Sequence, residues 1–545
     1  MKTMTMHEPL LSRLTAKDTY AYDVIVIGAG VAGLAFTLRL PPGLRVALLT
    51  KGVLGESNTR YAQGGLSAAV GKDDSPELHI EDTLAAGAGL CDPDAVRAMV
   101  EGAPEAVEWL LQIGTHFDTD ATGELLLGRE AAHSRRRVLH AGGDATGWEI
   151  ERALVARVRE DRAIDVYAGA FAIDLLVEHG TCVGVLAQLA VGSAPVQLMA
   201  PRTVLAAGGA GQLWATTSNP IGATADGLAM AIRAGAPVAD TEFVQFHPTV
   251  LNVPGTSPFL LTEAIRGEGA YLRGADGERF MTGLHELAEL APRDVVARGI
   301  QRQMGIDRAP SVSLDLRHLD AEKMRERFPT IRDELTRRGL DLATDLLPVA
   351  PAAHYFIGGV VATDDGVTGM PGLMAIGEAS CTGVHGGNRL ASNSLLEGLV
   401  FGMRAADRIA REVTPEAHPV ELRMTPAATI AIPGPGPIAE AREALQRAMS
   451  DEVAVVRTSQ GLELAGEAIA RARAAVAGLA GGLRRDLWEL ANMATAAEAV
   501  TAAALHREES RGAHFREDYP ETDPALAGRH SLMRDGTWQY GALAD

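Results

Sequence analysis

The sequence AYDVIVIGAGVAGLAFTLRLPPGLRVALLTK, residues 21–51, predicts the centre of the fold. Its β-branched run at 24–27 is typical of a buried parallel strand, and residues 34–38 are typical of a helix. A second apolar strand is predicted at 44–50. A strand, a glycine-rich turn, a helix and a second strand in this order predict an α/β domain built on a parallel sheet.

The turn between the first strand and the helix has the spacing G-x-G-x-x-G, with Ala29 inside it. Gly28 would allow the tight turn, Gly30 the approach of a pyrophosphate, and Gly33 close packing of helix on strand. A purely structural turn and a membrane span are the alternatives. Three glycines, an arginine and two prolines in one short apolar window argue against a span. The stretch therefore predicts dinucleotide binding at a helix start.

The end of the second strand breaks the usual rule for such domains. It reads Leu49-Thr50-Lys51, without the acidic residue that normally holds the adenosine ribose. The motif thus predicts a dinucleotide without saying which one.

Composition limits the classes of partner. The 545 residues are enough for two or three domains, and a formal charge of −20 argues against nucleic acid or an anionic membrane as partner. The cysteines Cys91, Cys182 and Cys381 are scattered and lack metal-ligand spacing, which predicts a reducing cytoplasm and no metal site. Residues 1–20 resemble an irregular terminus rather than a signal peptide.

Local signals organise the next part of the chain. Asp92 followed by Pro93 predicts a single helix that ends at Gly114. Its apolar face would comprise Val96, Met99, Val100, Val107, Leu110 and Leu111. Residues 116–140 are dense in charge, and on that pattern alone a solvated basic loop is the simpler interpretation.

Several motifs can be considered together: residues 28–33, NTRYAQGG at 58–65, FHPT at 246–249, LLTEAIRGEGA at 260–270, PRDVVAR at 292–298 and HGGNRLASNSLLEG at 385–398. This ordered set resembles the flavoprotein family of succinate dehydrogenase, fumarate reductase and L-aspartate oxidase. The resemblance runs from residue 22 to about 520.

The resemblance implies the fold class: an α/β protein with a Rossmann-like FAD-binding domain, an inserted α+β capping domain and a C-terminal helical domain. The expected divisions are 1–240 with 357–424, 241–356, and 437–545. A Pro/Gly linker is predicted at 432–437, followed by Ala-rich helices.

Two stretches favour the L-aspartate oxidase branch of that family. Asn58 occupies the place of a His that bonds FAD covalently in membrane-attached relatives, so the resemblance implies non-covalent FAD. Residues 129–147 look like the stretch that marks L-aspartate oxidases, where a glutamate matching Glu130 faces the substrate amine. The Thr-Lys ending at Lys51 is also shared with the family.

The cofactor residues implied by the resemblance lie in six places along the chain. They are Gly28, Ala29, Gly30, Gly33, Lys51, Asn58, Thr59, Arg60, Tyr61, Ala62, Gln63, Gly64, Gly65, Asp226, Glu378, Ser394 and Leu395.

L-Aspartate carries two carboxylates and one ammonium, so its pocket needs at least two cations and one anion. Arg293 and Arg389 can each clamp a carboxylate with paired N–H donors, and Glu130 can pair with the ammonium. Further catalytic candidates in the family's pocket motifs are Thr262, Glu263, His247 and His354.

The activity implied is transfer of a hydride from Cα of L-aspartate to N5 of FAD, giving iminoaspartate. The acceptor would be O2, giving H2O2, or fumarate. This is the first step of NAD biosynthesis through quinolinate, with possible transient contact with quinolinate synthase. The alternatives are a soluble fumarate reductase or succinate dehydrogenase flavoprotein subunit, and a flavin-binding protein without turnover.

Overall fold

The computed structural model describes residues 18–413, 436–479 and 484–543. The predictions for residues 1–17, 414–424 and 432–435 fall outside these ranges.

The strands of the described chain are short and are distributed over several sheets. In chain order they are β1 (Thr19–Ala21), β2 (Val24–Ile27), β3 (Val46–Thr50), β4 (Leu66–Ser67), β5 (Leu127–Gly128), β6 (Val138–Leu139), β7 (Ile164–Ala168), β8 (Phe171–Glu178), β9 (Thr181–Gln188), β10 (Val196–Met199), β11 (Arg202–Leu205), β12 (Val238–Ala239), β13 (Val244–Leu251), β14 (Phe259–Leu260), β15 (Tyr271–Arg273), β16 (Val312–Asp315), β17 (Leu346–Phe356), β18 (Gly359–Val361), β19 (Leu373–Ala375), β20 (Ser380–Cys381), β21 (His530–Arg534) and β22 (Thr537–Gly541).

The α-helices of the described chain pack on these sheets and dominate the C-terminal part. In chain order they are α1 (Val31–Arg39), α2 (Pro76–Ala86), α3 (Pro93–Glu101), α4 (Ala103–Gln112), α5 (Thr146–Glu160), α6 (Asp226–Ala234), α7 (Glu263–Gly267), α8 (Arg293–Asp307), α9 (Ala321–Arg327), α10 (Pro329–Arg337), α11 (Asn393–Glu412), α12 (Gly436–Glu452), α13 (Ser459–Leu479) and α14 (Arg485–His506).

The central sheet is parallel and has the strand order β19-β11-β2-β3-β7. Every residue of β2 and β3 is buried, as expected for a parallel sheet covered on both faces. Helices α1 and α11 pack together on this sheet. The predicted α/β fold class is confirmed.

A second sheet, in the order β1-β10-β9-β8, lies beside the first. Thr19 and Tyr20 pair with Gln197 and Leu198 in it. The prediction of an irregular terminus was therefore wrong for these two residues, because their partner strand lies nearly 180 residues away and leaves no local signal.

Residues 244–356 supply a third sheet, in the order β14-β13-β17-β16-β15. Its strands are antiparallel, and its apolar side chains form a core separate from the two larger ones. The long strands β13 and β17 also connect this unit to the central sheet region, through residues 239–243 and 357–358.

The single helix predicted after Asp92 is in fact two helices, α3 and α4, that meet at Gly102. Asp92 caps α3 as expected, with its carboxylate accepting from the backbone N–H groups of Asp94 and Ala95. Pro104 has no N–H to continue the first helix, so a new one begins. Leu111 was misplaced on the buried face: it is 44% exposed.

The C-terminal part is not purely helical. After α14 the chain forms the hairpin β21–β22, and β21 pairs antiparallel with β12 through Val238–Met533 and Ala239–Leu532. The predicted linker at 432–437 is also too long, because Gly436 and Pro437 already belong to α12.

A buried ionic cluster joins this C-terminal part to the start of β13. Arg507 is fully buried; its Nε donates to Glu242 at 2.6 Å and its Nη1 to Glu509 at 2.8 Å. Its Nη2 donates to Ser531 at 3.1 Å. Burial raises the pKa of Glu242, and the neighbouring guanidinium opposes that rise.

None of the helices in the described ranges is long and apolar enough to cross a membrane.

Candidate active site

One long cavity of about 500 Å³ contains nearly all the predicted site residues. It runs from the carboxyl ends of β2 and β3 to the inner faces of β13 and β17. Of the predicted residues, those on its wall are Gly28, Ala29, Gly30, Lys51, Asn58, Thr59, Tyr61, Ala62, Gln63, Gly64, Gly65, Asp226, Glu378, Ser394, Leu395, His247, Thr262, Glu263, Arg293, His354 and Arg389.

Three predicted residues are not on that wall. Gly33 lies beneath it, where a Cβ would come within 2.1 Å of the Gly28 carbonyl oxygen. Arg60 is exposed and donates to the Gly55 carbonyl oxygen at 3.2 Å, so its assignment to the cofactor has no support in this geometry. Glu130 lies one layer behind, next to Gly64 and Ser392.

The glycine turn is built as the sequence predicts. Gly28 has φ +113°, and a Cβ there would lie 2.0 Å from the Ala206 carbonyl oxygen. A Cβ on Gly30 would meet no protein atom closer than 3.4 Å. The reason for a glycine at this position is therefore the close approach of a pyrophosphate to the backbone from the cavity side. No side chain caps α1 at Gly30.

The loop after β3 forms the wall beside this turn. The Thr59 hydroxyl oxygen accepts from the Val31 N–H at 3.0 Å, which fixes the loop against the start of α1. Tyr61 is 48% exposed and closes the loop from outside. The side-chain oxygen Oε1 of Gln63 is buried and has no partner within the described part of the chain.

Glu378 lies where the loop meets β17. Its carboxylate accepts from the Asn58 amide at 3.2 Å and from the Phe356 N–H at 3.0 Å. Burial raises its pKa to about 7, chiefly because a charged carboxylate is poorly solvated there.

At the opposite end of the cavity, Lys51 closes an ionic cluster. Its ammonium donates to Thr224 at 2.6 Å, to Asp226 at 2.7 Å and to Glu489 at 3.0 Å. Glu489 belongs to α14, and it lines the cavity together with Arg442 of α12. The C-terminal helices thus complete a wall that the sequence analysis assigned to the N-terminal domain alone.

The substrate end is dominated by two buried guanidinium groups. Arg293, at the start of α8, and Arg389, in the loop before α11, both donate to the side-chain oxygen of Gln245, at 3.1 Å and 2.9 Å. Arg389 also donates to the Ser394 hydroxyl at 3.2 Å and lies over the Tyr355 ring. Its Nε has no partner within the residues described.

Gln245 and Arg266 are site residues that the sequence analysis missed. Gln245 is fully buried, and its amide nitrogen donates to Asn388 and to the Arg389 carbonyl. Arg266 is also buried, and its Nη1 donates to the Glu289 carbonyl oxygen at 2.5 Å. Gln245 carries no charge that would draw attention in a sequence, whereas Arg266 stands in a quoted motif and was overlooked.

Glu263 balances the cationic groups. Its carboxylate is hydrogen-bonded to the Arg293 Nε and lies 3.7 Å from Arg266 Nη2. Although burial acts to raise its pKa, the two guanidinium groups lower it below the ordinary value. Glu263 is therefore ionised at neutral pH.

His247 and His354 lie edge to face on the cavity wall, with ring centroids 5.1 Å apart. The Nδ1 of His247 accepts from the Thr249 N–H, and the Nδ1 of His354 lies 2.8 Å from the Ser218 hydroxyl. Burial and the nearby arginines hold both pKa values well below the ordinary value. Both imidazoles are thus neutral at pH 7.

Thr262 and Ser394 both lie at helix starts. The Thr262 hydroxyl is 3.5 Å from the Ala264 N–H and caps α7. Ser394 and Leu395 are the second and third residues of α11, whose N-cap Ser392 has φ +63° and makes no side-chain cap. The positive end of the α11 dipole is therefore directed at the cavity.

Glu130 is not in a solvated loop, since it is only 2% exposed. One carboxylate oxygen accepts from the Ser392 hydroxyl at 2.7 Å, and the other has no partner in the described chain. Burial and the charge of Glu263 raise its pKa to about 7, against the opposing pull of Arg293. Its side chain stands between Gly64 and the arginines rather than on the cavity wall itself.

The solvated-loop interpretation fails for a further reason. Arg137 is fully buried; its Nε donates to Asp74 at 2.8 Å and its Nη1 to Asp82 at 2.6 Å. Arg137 thus holds the segment against α2, while Arg129, Arg135 and Arg136 are exposed.

These features fit an FAD-sized dinucleotide. The N-cap Gly30 has no side chain to occupy the backbone N–H groups at the start of α1, where a pyrophosphate would bind, although the Val31 N–H donates to Thr59. Unpartnered polar atoms of Gln63 and Arg389 lie along the same cavity within the described chain. The start of α11 supplies a second positive helix end.

Comparisons with known proteins agree with this geometry. The FAD binding domain model matches residues 23–395, and the model of the fumarate reductase flavoprotein C-terminus matches residues 442–543.

Curated relatives cover almost the whole chain. An L-aspartate oxidase of Streptomyces coelicolor is 46% identical, covering 94% of this chain and 91% of its own. One of Acinetobacter baylyi is 41% identical, covering 93% and 95%. The chloroplastic L-aspartate oxidase of rice is 41% identical, covering 93% and 83%.

Solved structures of the same shape are also known. An E. coli quinol fumarate reductase has a TM-score of 0.87 at 29% identity, covering 96% of this chain and 97% of its own. Mycobacterium smegmatis Sdh1 has a TM-score of 0.79 at 32% identity, covering 95% and 92%.

Proposed function

Because the chain belongs to the L-aspartate oxidases of the succinate dehydrogenase and fumarate reductase flavoprotein family, we propose that its cavity holds FAD at one end and L-aspartate at the other. The activity is the FAD-dependent oxidation of L-aspartate to iminoaspartate in NAD biosynthesis. The residue roles given below are part of the proposal.

FAD is held by the glycine turn at residues 28–33, by the loop at 58–65 and by the start of α11. The N–H groups at the two helix starts bind the anionic parts of the cofactor. Glu378, whose pKa is about 7, accepts from or donates to its hydroxyl groups. When bound, FAD supplies the redox chemistry by taking the hydride from Cα of L-aspartate and passing the electrons to O2, giving H2O2, or to fumarate.

Two arginines hold the carboxylates of L-aspartate. The observation that supports this assignment is that both guanidinium groups donate to one oxygen of Gln245. The two groups are therefore directed at the same acceptor position. A substrate carboxylate offers the same acceptor with a full charge and would replace the amide on at least one arginine.

The histidines act as neutral hydrogen-bonding groups. Since the pKa values of His247 and His354 lie well below neutrality, they add no positive charge beside the arginines. They and the Thr262 hydroxyl position the carboxylates, while the cationic charge comes from the guanidinium groups alone. L-Aspartate fits this arrangement, because its two carboxylates need the positive charge that the guanidinium groups provide.

The role proposed for Glu130 is to bind the ammonium of L-aspartate. Its unpartnered carboxylate oxygen lies next to Gly64, and its pKa of about 7 leaves a substantial charged fraction at neutral pH. A buried carboxylate there compensates the positive charge that distinguishes an amino acid from a plain dicarboxylate. It reaches the substrate from behind the cavity wall, by way of a rotation of its side chain.

Iminoaspartate is unstable in water, so a quinolinate synthase that makes transient contact with the chain would limit its loss. We place both proteins in the cytoplasm. The negative net charge, −20, agrees with partners that are neither nucleic acid nor an anionic membrane.

Steady-state release of H2O2 on addition of L-aspartate tests the proposal. We expect peroxide in proportion to the L-aspartate consumed, and competitive inhibition by succinate. The second candidate, a soluble fumarate reductase or succinate dehydrogenase flavoprotein subunit, predicts no peroxide from L-aspartate. Fumarate reduction with an artificial electron donor is expected of both candidates, so peroxide release is the discriminating result.

A further inference from the structure

The end of β3 lacks the acidic side chain that holds the adenosine ribose in most domains of this type, and α14 brings a carboxylate to that position. We propose that Glu489, in the C-terminal helical part of the chain, holds the adenosine ribose of bound FAD. The inference rests on the proposed placement of FAD in this cavity.

Glu489 lies at the position expected for a residue that binds the ribose. In domains with this turn the ribose lies at the carboxyl end of the second strand. That strand is β3, which ends at Thr50, and the next residue, Lys51, is in direct contact with Glu489 at 3.0 Å. The Glu489 side chain is 19% exposed and lies on the cavity wall.

Two neighbouring cations bind the carboxylate of Glu489 and leave part of it available to a ligand. Lys51 donates to one oxygen of Glu489, and Arg442 donates to the other at 3.2 Å. An ionised carboxylate has about four lone-pair positions. One cation on each oxygen leaves an acceptor position on both, which matches the paired 2′ and 3′ hydroxyl donors of a ribose.

Asp226 is the other carboxylate near Lys51, and it is more fully occupied. Its Oδ1 accepts from Thr224 at 3.0 Å and from Asn492 at 2.8 Å, and its Oδ2 accepts from Lys51 at 2.7 Å. Three protein donors leave it little capacity for two further hydroxyl groups. Glu489 is the carboxylate with acceptor positions to spare.

A competing explanation is that Glu489 acts only through Lys51, by fixing its ammonium toward the cofactor. The two explanations differ in one respect. A direct bond to the ribose makes the effect of Glu489 depend on the ribose hydroxyls, whereas support of Lys51 does not.

The test uses apoprotein made from the full chain and measures the dissociation constants of FAD and of an FAD analogue with 2′-deoxyadenosine, by quenching of flavin fluorescence. The wild-type chain should bind the analogue about 10- to 150-fold more weakly than FAD, the range for a hydrogen bond to a charged group. Glu489→Gln should weaken FAD binding and reduce that discrimination to within about threefold.

Glu498→Gln is the matched control. It lies on the same helix and also pairs with an arginine, Arg473, but it does not line the cavity. It should bind both flavins as the wild-type chain does. Glu489→Asp, which shortens the side chain and keeps its charge, should also lose discrimination, and it serves if Glu489→Gln does not fold.

Equal losses for FAD and the analogue in both Glu489 variants would overturn the inference in favour of the support of Lys51. Wild-type discrimination below about twofold would also overturn it, because no hydroxyl would then be held by a charged group. Failure of the wild-type chain to bind FAD at all would instead refute the proposed function, and this outcome is separately recognisable.

Discussion

Gln245 stands between the two arginines of the site and so controls how they meet a substrate. Its oxygen accepts from both guanidinium groups, while its nitrogen is fixed by Asn388 and the Arg389 carbonyl. In the proposed binding mode, an incoming carboxylate would compete with this neutral acceptor for both arginines. It would replace a neutral hydrogen bond with a charge-assisted one, which is roughly twice as strong.

At Arg389 the shape of the side chain matters as well as its charge. Arg389→Lys keeps the positive charge but loses the planar pair of N–H donors that fits a carboxylate. We expect kcat/KM for L-aspartate to fall by about 10- to 150-fold, equivalent to about 1.5–3 kcal/mol. Arg404→Lys, an exposed pair with Asp364, is the control and should be near wild type. A near-wild-type Arg389→Lys variant would remove Arg389 from the clamp.

Glu130 should separate an amino acid from a plain dicarboxylate. Glu130→Gln keeps the shape and the bond to Ser392 but removes the charge, so we expect L-aspartate oxidation to slow by about 10-fold or more. FAD binding and fumarate reduction with an artificial donor should remain. If both activities fall by one factor, Glu130 has a general role in the pocket rather than one specific to the ammonium.

The pH dependence of L-aspartate binding follows from the same group. With a pKa of about 7 in the protein, Glu130 is charged above that pH and neutral below it. The KM for L-aspartate should therefore rise as the pH falls through about 7, once the ionisation of the substrate itself is allowed for. In Glu130→Gln this rise should disappear; if it persists, another group titrates.

The sequence predicts residues that carry charge or stand in motifs, and it is weaker for those that act through position. Arg293, Arg389 and Glu263 come together as predicted. Gln245 has no charge to mark it, and Glu489 lies more than 400 residues from Lys51 in the chain. Their importance arises only when the fold brings them to the cavity.

At the level of elements, local sequence signals predict helices and strands well. They do not reveal the pairing of strands that are distant in the chain. The turn at residues 28–33 gives its helix and strands correctly, because each step depends on neighbours in sequence. Helices α3 and α4 show the limit of that approach, since Pro104 divides a continuous apolar pattern. Strand β1 was missed because it is stabilised by a distant partner, whereas the hairpin β21–β22 has a local turn signal, Asp535-Gly536, that the sequence analysis overlooked.

The loop that contains Asn58 predicts how the cofactor is attached. An amide side chain cannot replace the histidine that forms a covalent bond in related subunits, and here it donates to Glu378. Acid precipitation of the holoenzyme should therefore leave the yellow chromophore in the supernatant. Colour that stays with the precipitated chain would show a covalent bond formed elsewhere.

On the scale of the whole molecule, the parts of the chain are joined by buried charge as well as by apolar packing. Arg507 links the segment after α14 to Glu242, at the entry to the sheet of β13 and β17. Glu489, which also pairs with Arg442, reaches Lys51 of the N-terminal domain through a partly buried ion pair. The C-terminal helices are thus continuous with the active-site region rather than an appended unit.

Breaking the Arg507 cluster should be costly. Arg507→Leu would leave Glu242 buried without its cation, whereas Glu509 would keep its pair with Arg511, and we expect the free energy of unfolding to fall by about 3–5 kcal/mol. Arg447→Leu, which removes an exposed pair with Glu443 on α12, should change it by less than about 0.5 kcal/mol. Urea denaturation of both holoenzyme variants measures the difference, and similar midpoints would contradict the anchoring role.

The pairing of β12 with β21 has a consequence for the order in which the chain is made. Val238 emerges from the ribosome nearly 300 residues before Met533, its partner in the sheet. During that interval the edge of β12 that pairs with β21 has no partner, and the carboxylates of Glu242 and Asp240 lack the guanidinium group of Arg507. Completion of the fold is therefore a late event of synthesis, and a nascent chain is exposed to aggregation for most of its length.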